Sequence, residues 1–204
     1  MAAAQSRRLA FRFPTALRAP SEISLSTHGK TGFMNLDSPT PTIAGGIRIT
    51  PLRLSDPAHA DAFIMLLEHY ARDPMGGGRP LDDEVRATLA ARLGQRRDFI
   101  AFLAFCDDRA CGLINCFEGY STFAARPLLN VHDLVVHADY RGQSIGRALL
   151  NAAEDAARAR GCCKLTLEVL SNNHAALAAY DSAGFRPYVL DPAAGQALFL
   201  QKWL

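Results

Sequence analysis

No apolar run in this 204-residue sequence approaches the roughly 18 residues that a bilayer crossing needs. The longest candidate, FIAFLAF (Phe99–Phe105), is strand-sized. Net charge is also scarce. At +2 it gives no electrostatic argument for a nucleic-acid partner. Cysteines are few and odd in number: Cys106, Cys111, Cys116, Cys162 and Cys163. None is spaced CxxC, and no histidine pair stands at zinc-ligand spacing. Neither a disulfide framework nor a metal site is expected. The thiols read as small apolar residues of a reduced, cytoplasmic protein. Repeats of solenoid length are missing as well.

What is present describes one globular domain. Hydrophobic residues make up 49% and charged residues 21%, and the length suffices for a core without staples. Residues 1–45 stand apart. MAAAQSRRLAFRFPTALRAP carries four arginines and no acid, and the stretch after it is rich in Ser, Thr, Gly and Pro. This extension reads as a disordered tail, or as sequence ahead of a true start at Met34. An Arg-rich transit peptide is the other reading. A secretory signal is not expected, because no apolar core segment follows the arginines.

From Gly46 the pattern is regular, and residues 46–204 form the expected domain. Gly46–Leu54 alternates as a strand. Ser55–Asp73 opens with capping residues and continues at helical spacing, and Leu81–Gly94 reads as a second helix. PMGGGRP lies between them as a breaker. Asp98–Cys106 and Ala110–Tyr120 flank the turn DDR as a hairpin, and Leu128–His137 is a third central strand. Ser144–Gly161 is an amphipathic helix with the apolar stripe Ile145, Ala148, Leu149, Ala152, Ala153 and Ala156. Its Glu154 and Arg158 pair on the wet side. Cys162–Leu170 is a strand, Asn172–Phe185 a short helix, and RPYVLDP and ALFLQKWL close the chain as strands. The fold class is mixed α/β with a central meander and one strand–helix–strand crossover.

HADYRGQSIGRALL (His137–Leu150) joins the third central strand to the amphipathic helix. A helix start behind a glycine-bearing loop is an anion site, because its free N–H groups and dipole face outward. Arg141 and Arg147 add charge suited to phosphate. The pattern is neither GxxxxGK[ST] nor GxGxxG, which excludes a P-loop and a dinucleotide fingerprint, although Glu168 lies near the position of a ribose acid. A pyrophosphate is the implied ligand, and a tight turn whose glycines serve geometry alone is the alternative.

YRGQSIG (Tyr140–Gly146) resembles the R-x-x-G-x-G/A signature of the GNAT family of N-acetyltransferases. LEVLSNNHAALAAYDSAGF (Leu167–Phe185) is similar to that family's next motif, with Asn173, Ala176, Tyr180, Gly184 and Phe185 at matching positions. The resemblance covers about Gly46–Leu204. It implies a central, mostly antiparallel sheet flanked by helices. It also implies acetyl-CoA as co-substrate, with no metal. The pyrophosphate would lie on Arg141, Gly142, Gln143, Ser144, Ile145, Gly146 and Arg147. The pantetheine would pair with the backbone of Leu134, Val135 and Val136, with Asn173 and Ala176 nearby. Tyr180 would protonate the departing thiolate. Ser144 replaces the family's first signature glycine: a side chain there would weaken the site if the backbone needs a positive φ, whereas serine's aptitude as a helix cap suggests a tolerated change.

An attacking amine must be neutral, so a base is needed. Glu118, His132, Asp133 or a relayed water are the candidates. Glu118 is preferred because its apolar company should raise its pKa. His132 and Asp133, as neighbours on a strand, should face opposite sides. The position where many family members carry a strand-borne acid is Asn130 here. On the acceptor side, the glycine segment suggests a mobile lid. Asp82, Asp83 and Glu84 suit a cationic amine or a plain helix start, and Phe117, Tyr120 and Phe123 are candidate pocket walls. The expected function is acetylation of a primary amine, on a small molecule, by direct attack in a ternary complex. A protein or peptide N-acetyltransferase and a non-catalytic acyl-CoA-binding regulatory domain are the alternatives. No membrane or nucleic-acid partner is expected, and a homodimer is compatible with this reading.

Overall fold

The computed structural model describes residues 42–43, 46–189, 191, 193, 195 and 197–204. The N-terminal extension therefore lies outside the described residues, save for Thr42 and Ile43. These two form β1 (Thr42–Ile43), which pairs with β2 (Ile47–Pro51). The helices α1 (Pro57–Arg72) and α2 (Asp83–Gly94) follow. Then come the strands β3 (Phe99–Cys106), β4 (Arg109–Ser121) and β5 (Arg126–Val136). A short 3₁₀ turn (Ala138–Tyr140) leads to α3 (Ile145–Ala159), β6 (Leu165–Leu167) and α4 (His174–Ser182).

The six strands lie in chain order. Every pairing is antiparallel except β5 with β6, which is parallel and requires the α3 crossover between them. Alternate strand residues feed two cores. Ile114, Cys116, Leu129 and Val131 pack with Ile145, Ala148, Leu149 and Ala153 of α3. Leu103, Leu113 and Val135 face Phe63, Leu66 and Leu67 of α1 on the opposite side. The α3 stripe matches its sequence pattern, and Arg158 bonds Glu154 as expected. The start of α1 is fixed by Asp56, whose side chain accepts the Ala58 N–H at 2.9 Å, with proline at the first turn.

Two irregularities shape the sheet. One interrupts β3–β4 at Ala104/Phe105. In the other, Asn115 opposes Asp133 and Cys116 opposes Val131, which leaves His132 as the extra residue of a bulge in β5.

The two expected closing strands are not seen among the described residues. Among the described residues after Ser182, none is in a strand. Adjacent apolar pairs such as Phe199–Leu200 and Trp203–Leu204 would put apolar groups on both faces of a strand, which needs cover on both sides. These four residues stay exposed instead. Pro187 also lacks the N–H that a ladder uses. β6 is likewise shorter than the expected Cys162–Leu170, because its pairing ends at Leu167. The five cysteines are free thiols, and Cys106, Cys111 and Cys116 are buried in the sheet. Among the described residues, no cluster of three His, Cys, Asp or Glu side chains is placed to hold a metal ion. No described helix is long and apolar enough to cross a membrane.

Candidate functional site

β5 runs out at Val136, and the chain turns through His137–Ser144 into α3. Two residues there occupy the left-handed region, Gly142 at φ +80° and Ser144 at φ +62°. Glycine adopts this conformation freely. For Ser144 the structure corrects the capping expectation. It occupies the N-cap position, but its side chain makes no capping bond, and the positive φ is a strained feature. Ser144→Gly should therefore stabilise the fold by about 1 kcal/mol and raise Tm by about 2–4 °C. A thermal melt showing no rise would contradict that strain. The first-turn N–H groups of α3 have no intrahelical acceptors and open onto this loop. Ile145 is buried, so it can offer only its backbone to a ligand.

The two arginines part company. Arg141 stays at the loop, where its Nε donates to the Val136 carbonyl at 3.2 Å and its Nη2 to Asp73 at 3.0 Å. Arg147, expected at the phosphate loop, instead donates to the Ser182 carbonyl and hydroxyl at the end of α4. Arg141 lies in the loop, whereas Arg147 stands in the first turn of α3 and leaves it toward α4.

The last turn of α1 grips the same loop. His69 and His137 stack with ring centroids 4.2 Å apart, and His69 Nε2 accepts the Ala138 N–H at 3.3 Å. That bond requires His69 to be neutral at Nε2. Burial pushes the His69 pKa below its ordinary 6.5, and the neighbouring His137 and Arg141 push it the same way against Asp73 and Asp139. Below pH 6.5 the unfolded chain therefore binds the proton more readily than the fold does. The stabilisation is complete above that pH and is lost as pH falls toward the native value. His69→Gln should flatten the pH dependence of Tm between about pH 5 and 7. An unchanged slope would refute the assignment.

The glycine segment opens as a hydrogen-bonded turn. Asp73 Oδ1 accepts the Met75 N–H at 2.9 Å, and its carbonyl accepts those of Gly76 and Gly78. A Cβ on Gly76 would lie 2.0 Å from the Tyr70 carbonyl oxygen, so only glycine fits there.

Beside the loop lies a cleft of about 380 Å³. Tyr70 and Met75 wall it on the α1 side, and Asn173, Ala176 and Tyr180 on the α4 side. β5 contributes His132 and Leu134, and the segment just after β6 contributes Glu168. β6 pairs with β5 only at Leu129–Val131, so among the described residues β5 beyond that point has no strand partner on this edge. The Asn173 side chain accepts the Ala176 N–H at 3.2 Å and caps α4. Tyr180 packs edge-on against Phe185 at 5.8 Å. Burial pushes its pKa up to about 12, with the nearby Tyr70 and Asp133 adding to the shift. Its hydroxyl therefore keeps its proton at neutral pH.

The candidate bases are distributed unlike the expectation. Glu118 does not line the cleft. It accepts a bond from Arg160 at 3.2 Å near the C-terminus of α3, so it has a cationic partner in place of purely apolar company. His132 and Asp133 share one face. The His132 ring packs on Phe117 at 5.4 Å, and Asp133 bonds Asn115 through both its carboxylate and its N–H. Phe117 and Asn115 are two apart on β4 and point the same way, so the bulge has undone the alternation of β5. Glu168, weighed in the sequence only as a ribose acid, lies in the cleft wall, and its carboxylate accepts the Asn130 amide at 3.3 Å. The signal was the parallel register Asn130↔Thr166, which a sequence does not display.

The acceptor candidates disperse. Asp83 pairs with Arg86 and Glu84 with Arg92, as helix-start charges do. Asp82 stands at the α2 N-cap without a side-chain capping bond. Phe117 packs on Phe99, whereas Tyr120 and Phe123 are exposed, so the three do not form one wall.

Comparison with known proteins follows the same lines. Streptothricin acetyltransferase of Streptomyces lavendulae is 37% identical over 100 residues, covering 49% of this chain and 51% of that protein. The [ribosomal protein bS18]-alanine N-acetyltransferase of Escherichia coli K12 is 45% identical over 53 residues, 26% of this chain and 36% of that one. The matches thus span about half and about a third of these relatives. A solved aminoglycoside acetyltransferase from an uncultured soil metagenomic sample, in complex with trehalose, superposes with a TM-score of 0.62 at 20% identity. It covers 79% of this chain and 98% of that one, and shows a shared fold. Residues 63–185 match the description Acetyltransferase (GNAT) family, and the chain belongs to that family.

Proposed function

We propose that this protein is an acetyl-CoA-dependent N-acetyltransferase that acts on a primary amine of a small molecule. One observation carries the reading. A single cleft holds a protonated phenol and a carboxylate, Tyr180 and Glu168, beside a strand edge that leads to the phosphate loop. Arg141, Gly142 and the amides from Gln143 to Gly146, in the loop and at the start of α3, suit a pyrophosphate. Apart from the Val136 carbonyl, which accepts from Arg141, the edge of β5 at Leu134–Val136 suits the amides of pantetheine. The amine nitrogen attacks the thioester carbonyl carbon, the C–S bond breaks, and the leaving sulfur takes the Tyr180 proton. Glu168, directly or through water, takes the proton lost by the amine. It replaces Glu118 in that role because Glu118 is tied to Arg160 outside the cleft.

Direct attack is favoured over an acyl-cysteine intermediate, since burial pushes Cys111 and Cys116 up to about 12 and suppresses their thiolates. The small-molecule reading draws on the streptothricin and aminoglycoside acetyltransferases, and the alanine N-acetyltransferase is the peptide counterpart. The test is mass analysis of products from acetyl-CoA with aminoglycosides, diamines, amino acids and N-terminal peptides. N-acetylated small amines are expected. Acetylation of peptides alone would transfer the reading to a protein N-acetyltransferase, and binding of acetyl-CoA with no acetylated product to a non-catalytic acyl-CoA-binding domain.

A further inference from the structure

Arg141 is held on one edge only. Its Nε–H is engaged by the Val136 carbonyl and one Nη2 hydrogen by Asp73, so among the described residues two of its five donors are committed. The Nη1 group and the second Nη2 hydrogen form the other edge of the fork, the arrangement that meets two phosphate oxygens at once. An arginine side chain left to itself loses rotamer freedom when it binds an anion, and a partner that fixes it beforehand removes that cost. Asp73 is suited to fix it. It is the C-cap of α1, its Oδ1 is pinned by the Met75 N–H, and its side chain is 24% exposed against 55% for Arg141.

Resting on the reading that the His137–Gly146 loop binds the acetyl-CoA pyrophosphate, we propose that Asp73 is a positioning residue that sets the Arg141 fork for that pyrophosphate. The same carboxylate anchors Met75, a wall of the acceptor cleft, so one side chain ties the cofactor loop to the acceptor side.

The experiment compares acetyl-CoA, by calorimetry, with S-acetylpantetheine, which lacks the pyrophosphate, by NMR titration. Asp73→Asn keeps an oxygen for the Met75 amide but presents no negative charge to Arg141. It should weaken acetyl-CoA about fivefold and leave S-acetylpantetheine unchanged. Arg141→Ala should weaken acetyl-CoA at least about tenfold, and adding Asp73→Asn to it should cost nothing more. If Arg141→Ala leaves acetyl-CoA affinity intact, the pyrophosphate reading itself fails. If Arg141→Ala weakens binding and Asp73→Asn does not, the positioning role fails alone. Tighter binding by Asp73→Asn would make Asp73 a competitor of the pyrophosphate, and equal loss for both donors would make it merely structural. Either outcome overturns the proposal. Asp73→Ser, which also keeps an acceptor for the Met75 amide, serves in the same comparison should the asparagine variant not fold.

Discussion

Tyr180→Phe is expected to lower kcat by about 10²–10⁴-fold, the usual worth of a placed general acid. Acetyl-CoA affinity should change little. The ring that packs against Phe185 remains, and only the hydroxyl is lost. The defect should shrink with an acyl donor whose thiol leaves more readily, because a better leaving group needs less protonation. The raised pKa adds a second mark. With the phenol pushed up to about 12, the acid form persists across the whole range in which an amine becomes neutral. No alkaline fall in kcat from loss of this proton is expected below about pH 10. Turnover above half of wild type, with chemistry rate-limiting, would reject the acid role and leave the thiolate to be protonated by solvent.

Glu168→Gln is the second large effect. Glutamine keeps the shape and the bond from Asn130 but cannot accept a proton. A fall in kcat/KM of about 10²-fold or more is expected at pH 7. The fall should narrow as pH rises, because an amine already deprotonated needs no base to reach its reactive form. Glu118→Gln, applied in the same way, should leave this pH dependence unchanged, since its carboxylate is paired with Arg160 outside the cleft. A large, pH-dependent loss from Glu118→Gln together with none from Glu168→Gln would restore the base to β4.

What the sequence shows of this protein follows from how local each feature is. The α3 stripe was legible because Ile145, Ala148, Leu149 and Ala153 repeat at helical spacing and meet one core. The hairpin of β3 and β4 was legible from two apolar runs around a short turn. The loop and α4 were legible because both motifs are contiguous. Features that depend on pairing were not. The bulge that puts His132 and Asp133 on one face arises from the register of β5 against β4 and has no glycine or proline to announce it. Arg147 reads as a phosphate ligand until α4 is placed beside it. Glu168 joins Tyr180 only through the parallel ladder. At Ser144 the sequence left a cap and a positive φ both open, and the backbone takes the positive φ. The C-terminal run reads as strand on composition, yet a strand needs a neighbour, and β6 pairs over only three residues.

The most direct test of the account is initial-rate kinetics of thiol release from acetyl-CoA, with one diamine or aminoglycoside acceptor varied against the donor and the N-acetylated product counted beside the thiol. One thiol per acetylated amine, with double-reciprocal lines that intersect, is the result expected from direct attack in a ternary complex beside Tyr180 and Glu168. Parallel lines would place an acyl-enzyme on the path. Tight binding of acetyl-CoA with no thiol release for any amine would contradict an acetyltransferase outright.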